Sequence, residues 1–262
     1  RETHILPLTG GGFNAEGSPL EPAVRRRYRM SNQLGGKVPN EIIPYMEMCR
    51  REGISLQRGM NFGLGGNHSV ILMSVRAGAP YDDRLEDDGT TLIYEGHDAP
   101  NDSEKSVDQP QFTSGGRPTQ NGLFHQAAQE HQNHVRQAER VRVYEKIRTG
   151  IWSYNGVFHL VNSWTERSGT RRVFKFKLVA VEGDDDFSLP AHSEPVRRRM
   201  IPTPVKLEVW KRDAGKCRRC GATDELHFDH ILPFGKRGTS LVAENVQLLC
   251  ARHNLEKSDQ IE

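Results

Sequence analysis

Two short cysteine-bearing pairs near the C-terminus restrict this chain more than any other feature. "CRRC" (217–220) and "CARH" (250–253) are separated by 29 residues. Each pair sets two soft or borderline ligands close enough for one tight turn to aim both at one point. Together Cys217, Cys220, Cys250 and His253 can close a tetrahedral zinc site. A segment of about 60 residues has too small an apolar core to hold itself without such a staple. Four protein ligands leave no open position on the ion, so the zinc is structural rather than catalytic.

The fourth cysteine, Cys49, sits beside Met48 in an apolar stretch and reads as a core residue. Four cysteines in 262 residues are too few for a disulfide scaffold, so a reduced, cytoplasmic setting is expected. No apolar run approaches the roughly 20 residues of a membrane span, and no secretory signal is visible at the start. The net charge is only +2, but from Val196 onward there are 13 Lys/Arg against 9 Asp/Glu. The runs "RRRYR" (25–29) and "RRR" (197–199) suit phosphate contacts or a solvated face equally.

Periodicity divides the rest. Residues 1–38, rich in Gly, Pro and polar residues, read as an arm. "NEIIPYMEMCRREG" (40–53) predicts a short helix that Gly53 ends. Strands are predicted at 68–76 and 90–96, then in "RVRVYEKI", "GVFHLVNSW" and "RRVFKFKLVAV". In the last of these, Phe174, Phe176 and Leu178 share one face and Lys175 and Lys177 the other. The polar, alanine-bearing stretch 119–139 predicts a helix. Residues 182–204 carry four prolines, an acid run and a basic run, as a linker would. The expected organisation is α+β: an arm over 1–38, a strand-rich domain over 39–185, a linker over 186–203 and a compact domain over 204–262.

Between the knuckles lie "HFDHILPF" (227–234) and "AENVQLL" (243–249), and "HN" with Lys257 follows. Phosphodiester hydrolysis needs a water made nucleophilic and a cation on the phosphate and departing oxygen. A histidine suits the first task, its pKa lying near working pH. A carboxylate with an amide oxygen suits the second, because magnesium prefers oxygen ligands. On an extended strand Asp229 and His230 point to opposite faces, so the turn into "ILP" must bring both to one phosphate. His227 shares a face with Asp229 and is a metal ligand, a phosphate contact or a packed histidine.

Over roughly residues 204–260 this pattern resembles the HNH nuclease family, with "VKLEVWKRDAGKCRRCG" like the helix often found ahead of its first knuckle. The resemblance implies a ββα-metal fold in which His230 is the general base and Asp229 and Asn254 hold a catalytic Mg2+ or Mn2+. Asn245 would hold the loop that carries the histidine. Asn254 stands where some members have histidine. A zinc finger without catalysis is the alternative.

"APYDDRLEDDGTTLIYEGHD" (79–98) sets two tyrosines 13 apart around an acid cluster. Alone it reads as an acidic surface loop. "PTQNGLFHQAA" (118–128), "VRVYEKIR" and "YNGVFHLVNSWTE" (154–166) follow in order, and over roughly 55–182 the series resembles the SRA (YDG) domain. That family implies a PUA-like twisted β-barrel that flips 5-methylcytosine out of the duplex. Flipping costs a few kcal/mol, and aromatic stacking returns about 1–3 kcal/mol. A carboxylate accepting from the N4 amine selects cytosine. The resemblance makes Tyr81 and Tyr94 the stacking pair and Asp82 or Asp83 the amine contact, although the tyrosine spacing is about one residue longer than the family's.

"TSGGRPTQNG" (113–122), with Arg117 and Asn121, suits a loop that enters a groove and fills the vacated stack. "NFGLGGNH" (61–68), with Asn67 and His68, is a second flexible DNA-contacting loop or a structural turn. The two resemblances together imply a type IV, modification-dependent restriction endonuclease acting on foreign double-stranded DNA in a prokaryote. Its substrate would carry 5-methylcytosine or 5-hydroxymethylcytosine. One HNH site cuts one strand, so a homodimer is expected. The rivals are a non-catalytic reader and an HNH enzyme that reads unmodified sequence.

Overall fold

Long stretches of alternating and β-branched residues dominate the chain between 60 and 180, and they build one mixed sheet. The computed structural model describes residues 39–75, 78–86, 89–100, 102–181, 200–233 and 238–257. The 1–38 arm, both arginine runs and linker residues 182–199 lie outside these. The strands are β1 (Ile42–Pro44), β2 (Met60–Leu64), β3 (His68–Met73), β4 (Arg84–Glu86), β5 (Thr91–Glu95), β6 (Glu139–Arg148), β7 (Ile151–Ser168) and β8 (Arg171–Ala180). Their order is β2-β3-β6-β7-β8-β5-β4, with β1 paired to β7, and the ladder runs open from β2 to β4 among the described residues. Only β3 and β6 run parallel among these pairs; helix α2 (Gln120–Gln132) lies in the connection between them.

Helix α2 covers one face of the sheet. Phe124, Ala127 and Ala128 pack there against Ile71, Leu92, Val141, Phe158, Phe176 and Leu178. Thr119 caps the helix, its hydroxyl accepting from Gly122 N at 3.2 Å. A second cluster, with Ile43, Met48, Val70, Tyr144 and Trp152, seats helix α1 (Tyr45–Glu52). The C-terminal part has helix α3 (Thr203–Arg212), a hairpin of β9 (Leu226–His230) and β10 (Val246–Cys250), and helix α4 (Ala251–Lys257). No described helix is long and apolar enough to cross a membrane. The mixed sheet with few helices is the α+β architecture expected.

Three sequence expectations change. The helix over 40–53 starts only at Tyr45, because the residue before a proline is pushed out of α conformation, and Ile42–Pro44 join the sheet instead. The helix over 119–139 stops at Gln132; two residues on, His134 is left-handed at φ 58°. "NFGLGGNH" holds the structural turn that is one of its two readings, at residues 65–67, but its first part is the strand β2. Gly63, at φ 64°, sits where the β2–β3 register shifts, and this bulge hides the strand's alternation. Lys175, on the face opposite Phe174 and Phe176, is 1% exposed, its ammonium 2.9 Å from Glu95 Oε2 and 3.1 Å from Asp82 Oδ2.

Candidate functional site

The chemistry-bearing residues of the C-terminal motif converge on the β9–β10 hairpin and α4, which packs against both strands. The turns that carry the two knuckles bring four ligand atoms to one point. Cys217 Sγ lies 3.3 Å from His253 Nδ1, Cys250 Sγ 3.4 Å from the same nitrogen, and Cys220 Sγ 3.9 Å from Cys250 Sγ. All four fall within 4.8 Å of one another. Zinc–sulfur bonds of about 2.3 Å at tetrahedral angles require ligand separations of this order. Against the raising effect of burial, backbone N–H groups of Cys250 and Cys220 and the His253 ring hold the Cys217 thiol down to about 6. Burial, reinforced by Cys217, pushes the Cys250 thiol up to about 11. Three sulfurs this close ionise together only around a metal. The donor set fits zinc.

At the far end of β9, His230 Nε2 lies 2.8 Å from Ser240 Oγ. Burial, and then the Lys257 ammonium, hold its pKa below the ordinary histidine value, so the ring is neutral at pH 7. Asn245 closes the loop between them. Its Oδ1 accepts from Leu232 N at 2.8 Å, and its Nδ2 donates to Thr239 O at 2.9 Å and Leu232 O at 3.1 Å. Gly238 permits the closure, since a Cβ there would sit 1.8 Å from Leu232 O. Lys257, nearly fully buried, donates to His230 O at 2.6 Å and stands 3.1 Å from Asp229 Oδ2. Asn254 is half-buried on α4. His227 is a packed histidine: it is buried, its backbone bridges Glu41, and burial lowers its pKa to about 4.

The tyrosines behave differently. Tyr94 is 1% exposed and belongs to the sheet core, so it offers no open face to a stacking base. This corrects the expected pair. The ring that faces Tyr81 is His97, stacked at 5.7 Å and 20°, with Tyr94 Oη 3.3 Å from its Nε2. Gly59 lets them meet, because a Cβ there would lie 2.6 Å from the Tyr94 hydroxyl and 2.7 Å from His97 Nε2. Burial holds His97 down to about 4, leaving a neutral ring. Lys105 Nζ lies 4.6 Å from the Tyr81 ring centroid.

The two aspartates separate. Asp83 is buried and structural: Oδ1 accepts from Glu95 N at 3.0 Å and Oδ2 from Ser74 N at 3.1 Å. Burial nevertheless pushes its carboxyl up to about 7. Asp82 keeps an accessible carboxylate. Two expected DNA contacts are corrected as well. Asn121 is 1% exposed, its Oδ1 accepting from His97 N and its Nδ2 donating to His97 O, both at 2.8 Å. It clamps the His97 backbone because the amide matches a peptide group in both directions. His68 is committed to Glu52 at 2.9 Å and Arg142 at 3.0 Å. Arg117 and Asn67 remain exposed, on a Thr113–Arg117 turn and the β2–β3 turn.

Asn121→Ala should therefore cost about 1–3 kcal/mol, the penalty of leaving buried backbone groups unpaired. Denaturant unfolding measures it; a wild-type midpoint would refute the clamp. Sequence reasoning missed His97, Ser240 and any role for Lys257. The only signal for His97 was an aromatic-capable residue three beyond Tyr94. Ser240 had none, since only loop closure brings it to His230.

Comparison with protein families decides the assignment of the larger part. The SAD/SRA domain model matches residues 45–184. The chain belongs to the SAD/SRA domain family. An HNH endonuclease model matches residues 217–260, so an HNH domain follows the SRA domain. No curated protein matches. Among solved structures, the SUVH5 SRA domain with fully methylated CG DNA is 26% identical, covering 60% of this chain and 95% of that one at a TM-score of 0.42. The same domain with methylated CHH DNA is 23% identical, covering 57% and 91% at 0.42. The sulfur-binding and SRA domains of ScoMcrA with phosphorothioated DNA are 21% identical, covering 55% and 40% at 0.39.

Proposed function

We propose that this chain is a modification-dependent DNA endonuclease: the SRA domain holds a flipped, modified cytosine and the HNH domain hydrolyses a phosphodiester bond. One observation carries the reading, namely that an SRA domain and an HNH endonuclease domain occur in one chain and share a core cluster. We assign the SRA domain to residues 39–185 and the HNH domain to 204–262. At the HNH site, His230 takes the proton of the attacking water, with Ser240 holding its ring by accepting from Nε2–H. Asn245 keeps their loop closed. Asp229 and the Asn254 amide oxygen would hold Mg2+ or Mn2+, and such an ion supplies positive charge at the phosphate and the departing 3′ oxygen. Lys257 steadies Asp229 and the His230 carbonyl.

At the other end, Tyr81 and the neutral His97 ring offer the base an aromatic surface, and Asp82 accepts from its amine. Arg117 and Asn67 reach the duplex from their turns. The base is 5-methylcytosine, with 5-hydroxymethylcytosine as the second candidate. The biological role is restriction of modified foreign DNA in a prokaryotic cytoplasm, and two copies deliver the two strand cuts.

Digestion of matched methylated and unmethylated plasmids, with magnesium or manganese and with chelator, tests this. The expected result is metal-dependent cutting of the methylated plasmid alone. Equal cutting of both would refute the modified-base half. Binding without cutting would make the chain a reader only.

A further inference from the structure

A linker read from prolines and charge suggests a nuclease swinging on a tether, yet the residues on either side of it are tied down. Met200 packs into the SRA core, its N–H bonded to Gly89 O at 3.2 Å, and Ile201 is fully buried in a separate cluster with Val205, Val209, Phe228 and Leu248. Helix α3 then drives a lysine into the SRA sheet. Lys206 and Glu145 of β6 are both 0% exposed and 2.7 Å apart. The same ammonium donates to Asn155 Oδ1 of β7 at 2.6 Å, Asn155 Nδ2 donates to Glu145 Oε2 at 3.0 Å, and Thr203 Oγ1 donates to Glu145 Oε1. A buried charge pair is tolerated only when its remaining hydrogen bonds are met, and here both partners are satisfied.

A backbone seam adds to the lock. The Asn40–Ile42 segment bonds to the SRA sheet on one side, through Asn40 N to Tyr154 O at 2.7 Å and Tyr154 N to Glu41 O at 2.8 Å. On its other side Asn40 O accepts from Phe228 N of β9 at 3.0 Å. Ile42 and Ile147 of the SRA domain and Val205, Val209, Phe228 and Leu248 of the HNH domain form one continuous apolar cluster.

We infer that the HNH domain is fixed to the SRA domain as one rigid body, so that the Lys206–Glu145 lock and the 40–42 seam, not the 182–199 segment, set the distance from bound base to cut. Lys206 is a positioning residue for cleavage. The inference rests on the proposed function for its readout, though not for its geometry.

The test inserts ten Gly/Ser residues between Ala191 and His192 of the full chain and maps cut positions on a duplex with a single methylated cytosine. The expected result is an unchanged cut position and spread. A distribution that shifts or widens relative to the chain without the insert would overturn the lock. Lys206→Met added to the insertion should widen the distribution, and an unchanged one would remove Lys206 from the role. Calorimetry separates failure of this inference from failure of the nuclease reading: an active or inactive chain should melt in one transition with or without the insert. Two separated transitions would overturn rigid coupling even if no DNA is cut.

Discussion

Replacing His230 with alanine should lower the cleavage rate by about 10²- to 10⁴-fold, the usual contribution of a positioned general base, and leave DNA affinity unchanged. The contacts that shape the loop are made by other atoms. Lys257 reaches the His230 carbonyl, which alanine keeps, and Asn245 grips Leu232 and Thr239. The substitution thus removes the imidazole and its Ser240 partner while the hairpin stays closed. Single-turnover cleavage alongside a binding titration measures the two effects separately. Nicking at the wild-type rate would remove His230 from the mechanism. A parallel loss of affinity would mean the ring holds the loop rather than the water's proton.

Removing zinc should unfold the HNH domain. Structural zinc contributes about 10–16 kcal/mol to folding in small zinc-held domains, more than a segment of this size can supply from its own core. Cys217 and Cys250 also belong to the apolar cluster that carries Phe228 and Leu248, so a lost ligand opens the core as well as the knuckle. Cys217→Ser, or chelation of the wild-type protein, should abolish cleavage and make residues 204–257 sensitive to protease. The wild-type chain should carry one zinc by mass spectrometry. A zinc-free protein that resists protease and melts unchanged would show the four ligands to be ordinary core residues. Because α3 carries Lys206 into the SRA sheet, protease should cut the hairpin and α4 before α3.

Elements with local signatures were legible. Alternation over 171–181 marked β8, and the paired ligands at 217–220 and 250–253 marked the knuckles before any contact was known. The ββα reading of 226–257 came from the resemblance of this stretch to the HNH family. The errors lie where a long-range contact overrode local chemistry. Asn121 looks like a DNA-contacting amide, but its two-way match to the His97 peptide depends on residues 24 apart. Tyr94 carries an aromatic ring as expected, and the sheet register puts that ring into the core.

The sequence by itself determined the two modules and the Cys217, Cys220, Cys250 and His253 group that could hold zinc, because ligand spacing is a local property of a chain; the roles proposed for Asp229, His230, Asn245 and Asn254 came from the resemblance to the HNH family. Only the tertiary structure decided that His97 rather than Tyr94 faces Tyr81, that Ser240 meets His230, and that Lys206 enters the neighbouring sheet. Each of these depends on a loop closing or a helix docking. Such events are governed by burial and by the need to satisfy every polar group it encloses, and neither is written in the order of residues alone.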